Sequence, residues 1–154
     1  VDYSNNDFHF VGSMGWKPNA DAVRWIVKHI APRLDRILPE ARIHIAGSGM
    51  PKSMKDIKTK NVIFHGKVPS MNEFMSKHGT LIVPLKSGSG VRIKILEALS
   101  AVIPIISTEK CLEGIELTQP EGHSKEVKIN DDFMLYLKYP TIDEFIKIAD
   151  RNYK

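Results

Sequence analysis

Six short runs rich in β-branched and aromatic residues recur along the chain: "FHFVG" (8–12), "RIHIAG" (42–47), "NVIFHG" (61–66), "TLIVPL" (80–85), "IPIIS" (103–107) and "EVKI" (126–129). Most are nearly continuous in apolar character, which is what strands covered on both faces require. Between the first two, Val23, Ile26, Val27, Ile30, Leu34 and Leu38 repeat at helical spacing behind Asn19 or Asp21 as N-cap. Met71 to Lys77 allows a shorter helix, the helix after Gly90 is the best defined, and "TIDEFIKIADRNY" supplies the last. Strands that alternate with helices bury both kinds of face in a parallel sheet with helices on either side. The expected fold is α/β: a doubly wound, Rossmann-like three-layer sandwich around a mainly parallel six-stranded sheet.

The 154 residues, 42% hydrophobic and 26% charged, suffice for one sizeable core. No internal repeat or low-complexity segment divides them. Val1 and the polar run "DYSNND" read as the start of a chain cut at an interdomain linker, so residues 1–7 are taken as linker remnant and 8–154 as the domain. The net charge of +4 is scattered among acidic residues rather than gathered in a block, which argues against a nucleic-acid partner. The longest apolar stretch, Ile95 to Ile106, is broken by Glu97, Ser100 and Pro104 and is too short to span a bilayer. With no signal-peptide pattern either, the expected location is the cytoplasm. Cys111 is alone, so no disulfide framework arises, and a lone thiol more often serves as a small hydrophobe than as a nucleophile. No Cys/His group has zinc spacing. His9, His29, His44, His78 and His123 therefore receive no role, and His65, ending a strand, is either a ligand contact or a histidine satisfied by neighbouring backbone.

Ligands of doubly wound sheets bind beyond the carboxyl ends of the strands. The loops to weigh are "GSMGWKPN", "GSGMP", "GKVPS", "KSGSG" and "STEKCLEG". Glycine in any one of them can simply serve a turn. "KSGSG" stands apart because it runs straight into a helix. Gly88, Ser89 and Gly90 let backbone N–H groups approach a ligand, and the helix beginning there aims its unsatisfied donors and positive dipole end at the same place, as a phosphate seat does. Arg92 and Lys94 in the first turns oppose that dipole unless an anion is present. Glu97 sits about two turns on, roughly 10 Å along the axis from the helix start, with its side chain leaning back towards it. Its carboxylate can accept two hydroxyl hydrogen bonds, as from a ribose, or it can be a surface glutamate paired with Lys94 or Arg92.

The segment "SGSGVRIKILEALSAVIPIISTEKCLEGI" resembles the C-terminal, nucleotide-binding half of retaining glycosyltransferases of the GT-B fold, family 4 in particular. Those enzymes share a Gly-rich loop, an Arg-x-Lys-x-Leu-Glu-Ala helix, a Pro-x-x-x-Ser/Thr strand and a Glu-Gly pair. "FVGSMGWKPNADAVRW", "IHIAGSG" and "VIFHGKV" fall in the same order, so the resemblance covers roughly residues 8 to 117. It implies a donor domain that binds a nucleoside diphosphate sugar and takes part in transfer of the sugar to an acceptor hydroxyl with retention. Arg92 and Lys94 would stabilise the diphosphate charge. Ser87, Gly88, Ser89, Gly90 and Val91 would cradle it, Glu97 would hold the ribose, and the backbone of Gly66, Lys67 and Val68 would meet the base.

Two glutamates flank the loop in many members, and the position of the first is occupied here by Ser89. The Arg and Lys found after the first strand in many members are represented by Ser13, Met14 and nearby Lys17. Glu113 would contact the donor sugar or cap a helix. The resemblance implies no cofactor and no metal in this half. It also implies a separate N-terminal acceptor-binding domain of the same chain, without which this half is inactive, and through which the protein could sit peripherally at the inner membrane. Of the rival readings, a nicotinamide oxidoreductase would need a G-x-G-x-x-G fingerprint in the first turn, which "GSMGWKPNADA" lacks. A non-catalytic nucleotide-binding module and a nucleotide-sugar epimerase half remain compatible.

Overall fold

A computed structural model of the chain describes residues 6–57, 59–85, 92–108, 126–128 and 133–136. In chain order the strands are β1 (Phe8–Val11), β2 (Ile43–Ala46), β3 (Val62–Gly66), β4 (Thr80–Val83), β5 (Ile105–Thr108), β6 (Glu126–Lys128) and β7 (Phe133–Tyr136). They form one sheet in the order β3-β2-β1-β4-β5-β7-β6. The first five are parallel, with Phe8 opposite Ile43 and Leu81 opposite Ile105, and this is the doubly wound order in which the chain reverses direction between β1 and β4. The six expected strands are present. The seventh, β7, corrects the count: it inserts between β5 and β6 and pairs antiparallel with both, so the sheet has a mixed edge.

The long connection from β1 to β2 carries α1 (Lys17–Trp25), a π-helical turn (Ile26–Ile30) and α2 (Ala31–Ile37). The first turn begins at Trp16, two residues before Pro18, and not at Asn19 or Asp21 as the periodicity suggested. Proline fits there because its missing N–H is one of the donors a helix start leaves unpaired anyway. Pro32 accounts for the π turn. It cannot donate to Lys28 and its ring would strike that carbonyl, so the helix widens and the Ala31 N–H reaches back to Ile26. Among the described residues three short helices follow: α3 (Lys52–Lys55), α4 (Met71–Lys77) and α5 (Arg92–Ser100), while the last expected helix, "TIDEFIKIADRNY", lies outside the described residues. Right-handed crossovers put α1, α2 and α3 on one face and α4 and α5 on the other.

Strands β1, β2 and β4 are buried along their whole length, and their side chains meet Val23, Ile26, Ile30 and Leu34 from one layer and Phe74, Met75, Ile95 and Ala98 from the other. Each such large apolar side chain contributes about 1.5–3 kcal/mol on burial. Buried Asn61 is satisfied, donating from Nδ2 to the Ala31 carbonyl at 2.8 Å, which ties the start of β3 to α2.

The turn from α5 to β5 closes as a paired cap. The Ile103 N–H bonds the Ala98 carbonyl at 2.9 Å and the Val102 N–H the Leu99 carbonyl at 3.1 Å. That geometry puts Val102 at a left-handed φ of 58°, where glycine is usual and a β-branched residue is strained. The side chain is 47% exposed, so little packing opposes its removal. Val102→Gly is expected to raise stability by about 1 kcal/mol, the relief of left-handed strain less the added flexibility of the unfolded chain. Urea denaturation of the two proteins checks this, and an unchanged or lower midpoint would mean that the turn is unstrained.

Candidate functional site

The carboxyl ends of β1, β2 and β3 are stitched together by backbone alone. The Gly12 N–H reaches the Ala46 carbonyl at 3.1 Å, the Met14 N–H the Ser48 carbonyl at 2.9 Å, and the Gly47 N–H the Gly66 carbonyl at 2.8 Å. Gly47, at φ +150°, lies so close over the first loop that a Cβ on it would stand 1.7 Å from the Gly12 carbonyl oxygen. Only glycine permits this crossing. The outcome is a shallow backbone floor at the edge where such sheets bind ligands.

Two side chains lean over that floor. Lys94, from the first turns of α5, donates from Nζ to the Val11 carbonyl at the end of β1 and lies 4.8 Å from the centre of the Phe10 ring. Asn19, from α1, donates to the Ser13 carbonyl at 2.9 Å. A Cβ on Gly12 would meet both, 2.8 Å from Lys94 Nζ and 2.6 Å from Asn19 Nδ2, so amide and ammonium converge on one residue from opposite layers. The buried Asn19 Oδ1 has no partner among the described residues.

Glu97 occupies a different wall of the same helix. It is exposed, and it lines a cavity of about 180 Å³ together with Asn72 and Met75 of α4 and Ser100, Ala101 and Ile103 after it. The Lys94 ammonium is directed to Val11 rather than to this carboxylate. Gly66 has a left-handed φ of +67° with open space beside it. Lys67 is exposed and Val68 packs partly against the core, and the loop they form leads into α4. At 180 Å³ the space is smaller than the roughly 300–1,000 Å³ of a full ligand pocket.

Arg92 opens α5, while Ser87, Gly88, Ser89, Gly90, Val91 and Glu113 lie outside the described residues. Lys17 faces away, 2.7 Å from Asp21 on the exposed side of α1. Trp16 is half-buried against the core, as an anchor of the first helix. The convergence of Asn19 and Lys94 carries no sequence signal, because 75 residues separate them (94 minus 19) and only the β1–β4 adjacency brings them together.

The family model for glycosyl transferases group 1 matches residues 5–131. The chain belongs to that family. It is also 24% identical over 147 residues to a Klebsiella pneumoniae protein described as an uncharacterized 44.6 kDa protein in cps region. The match takes in 90% of this chain and 37% of that protein, so the chain spans little more than a third of its relative's length. Among the described residues no helix is long and apolar enough to cross a membrane.

The two glycines of the edge separate space from backbone conformation. Gly47→Ala is expected to cost at least about 2 kcal/mol, since its Cβ collides with fixed backbone. Gly66→Ala, strained in φ but unobstructed, should cost about 1 kcal/mol. Denaturation midpoints of the two variants give the comparison, and equal losses would show that the loops do not cross as closely as described.

Proposed function

We propose that this chain is the donor-binding domain of a retaining glycosyltransferase, holding a nucleoside diphosphate sugar for transfer to an acceptor hydroxyl supplied on a second domain. The observation that carries the reading is Lys94, in the first turn of α5, whose ammonium is brought to the end of β1 beside Gly12. A cation on the first turns of a helix opposes the dipole, costing about 0.3–1 kcal/mol, and a bound diphosphate reverses that sign. Arg92 adds a second cation at the start of the same helix. Glu97 lines the cavity between α4 and α5, and the loop from Gly66 to Val68 leads into α4; in this reading the base lies at that loop and the ribose hydroxyls bond the carboxylate.

In such a reaction most of the barrier lies in breaking the bond to the diphosphate. Preorganised donors and cations where that charge grows are the catalytic parts, and the domain offers Lys94, Arg92 and the α5 start for that purpose. Ser89, in the position of the family's first glutamate, and Glu113 are the candidates for the sugar itself. No metal or cofactor enters this reading. Polysaccharide assembly in the cytoplasm, at the inner face of the membrane, is the setting it suggests, and the relative's description as a cps-region protein agrees with it.

Calorimetric titration with UDP, GDP and ADP should find weak binding of one of them and no sugar transfer by this chain alone. The Arg92→Ala, Lys94→Ala double variant should lose affinity for that diphosphate by roughly 1.5–3 kcal/mol per contact while its affinity for the matching nucleoside barely changes. Glu97→Gln should lose about 1–3 kcal/mol for the nucleotide, and a 2′,3′-dideoxy nucleotide should then lose little more. Absence of binding to all three at millimolar ligand would overturn the donor reading. Equal binding of dideoxy and normal nucleotide to the unaltered chain would remove Glu97 from the ribose. A non-catalytic nucleotide module would bind alike, but would show no transfer when joined to an acceptor-binding domain.

A further inference from the structure

On the α4 face of the sheet, beside Phe74, the fold gathers three histidines that the sequence keeps far apart. His44 lies on β2 opposite Ile63 of β3; the ladder shifts register after Ile45 and Phe64, and His65, left without a β2 partner by that shift, holds its ring 5.1 Å from that of His44. His78 closes α4 just before β4, its ring tilted 45° to that of His44 with centres 4.1 Å apart. One ring nitrogen from each of the three lies within 4.8 Å of the other two.

The second nitrogens decide which atoms face inward. His44 Nε2 donates to the Asp7 carboxylate at 2.8 Å, leaving Nδ1 as the lone-pair nitrogen. His78 Nδ1 donates to the Phe74 carbonyl at 2.6 Å, leaving Nε2. Asp7 is itself fixed, accepting from the Arg42 N–H at 2.9 Å through its other oxygen. The His78 carbonyl in turn accepts from buried His9 Nδ1 at 3.0 Å, which anchors the turn that carries the ring. A carboxylate or a carbonyl behind each imidazole is the support that metal-binding histidines ordinarily have.

We propose that His44 Nδ1, His65 Nε2 and His78 Nε2 form a site for a divalent transition-metal ion of the zinc class, clipping edge strand β3 to the α4–β4 turn. Imidazole nitrogens at about 2.0–2.1 Å from zinc in tetrahedral array stand roughly 3.4 Å from one another. His44 Nδ1 and His65 Nε2 are 2.8 Å apart, so they need to part by only about half an ångström, His65 taking the tautomer protonated at Nδ1 as the ion replaces the shared proton. His65 is exposed and His78 partly so, which gives the ion a way in and leaves a fourth position to water. Burial and the neighbouring imidazoles lower the pKa of both His65 and His78 below the ordinary value, holding them in the neutral form a metal requires. Asp7 and His78 stand at the amino ends of β1 and β4, His44 lies within β2, and His65 ends β3 next to Gly66; the site uses none of the residues proposed to hold the diphosphate.

The test is titration of the tag-free, chelator-treated 154-residue chain with Zn(II) by calorimetry and with Co(II) by visible absorption, without nucleotide. One ion per chain is expected, with the intense d–d bands of tetrahedral cobalt and an upward shift in melting temperature. His65→Ala, at an exposed position that leaves the core intact, should weaken binding at least about hundredfold, and Asp7→Asn about ten- to hundredfold through loss of the charge behind His44. His29→Ala, whose ring lies by Trp25 outside the cluster, should bind as the unaltered chain. Failure to bind either ion stoichiometrically at micromolar concentration, or equal binding by the His65→Ala and His29→Ala variants with circular dichroism unchanged, would overturn the proposal.

Discussion

The crossing of Gly47 over Gly12 is the contact on which the rest of the carboxyl edge depends. Two loops that would otherwise be held apart by a Cβ are drawn into backbone contact, and the N–H groups of Gly12, Met14 and Gly47 are spent in joining strands β1, β2 and β3 at their ends. A floor made of backbone leaves its surface flat and its depth small, and because these three N–H groups are already paired, positive charge reaches it from side chains. Side chains then enter only from the two helical layers, Asn19 from one and Lys94 from the other, and both arrive at the same glycine.

Helix α5 serves two walls at once because of its period. Lys94 and Glu97 are three residues apart, near enough along the axis to serve one extended ligand, yet the first bends to the end of β1 and the second opens to the cavity shared with α4. Ile95 and Ala98, buried between them, fix the helix against the sheet so that neither wall can drift. The same economy appears at the amino edge, where a single turn from α4 to β4 places His78 by Asp7 and His44, with both rings oriented by fixed partners.

How far sequence foretells this differs from element to element. The parallel strands are legible since β1, β2 and β4 must be apolar on both faces and nothing else writes such runs between helical repeats. The run "FMLY" is not legible as β7 because four residues carry no period of their own, and antiparallel insertion between β5 and β6 is decided by pairing. The start of α1 is misread by three residues or more because buried Asn19 looks like a cap while Pro18 opens the helix. Lys94 is recognisable from sequence as a cation near the expected phosphate seat, but its reach to Val11 depends on β1 and β4 being neighbours. The histidine cluster is invisible for the same reason: gaps of 21 and 13 residues (44 to 65, 65 to 78) match no metal motif and close only when β2, β3 and the α4–β4 turn meet.

The central claim is that one nucleoside diphosphate lies along the carboxyl edge, phosphates at the Gly12 floor and the start of α5, nucleoside towards Glu97 and the loop from Gly66 to Val68. Amide chemical-shift mapping of the nitrogen-15-labelled chain during titration with the nucleoside diphosphate that binds tests this directly, because it reads every loop at once. The account predicts saturable shifts at Gly12, Gly47, Gly66, Lys67 and the first turn of α5, with orthophosphate moving only the first two and the α5 start, and with Asp7, His44 and His78 unmoved. Shifts confined to the amino edge, or spread without saturation over the exposed lysines, would contradict it.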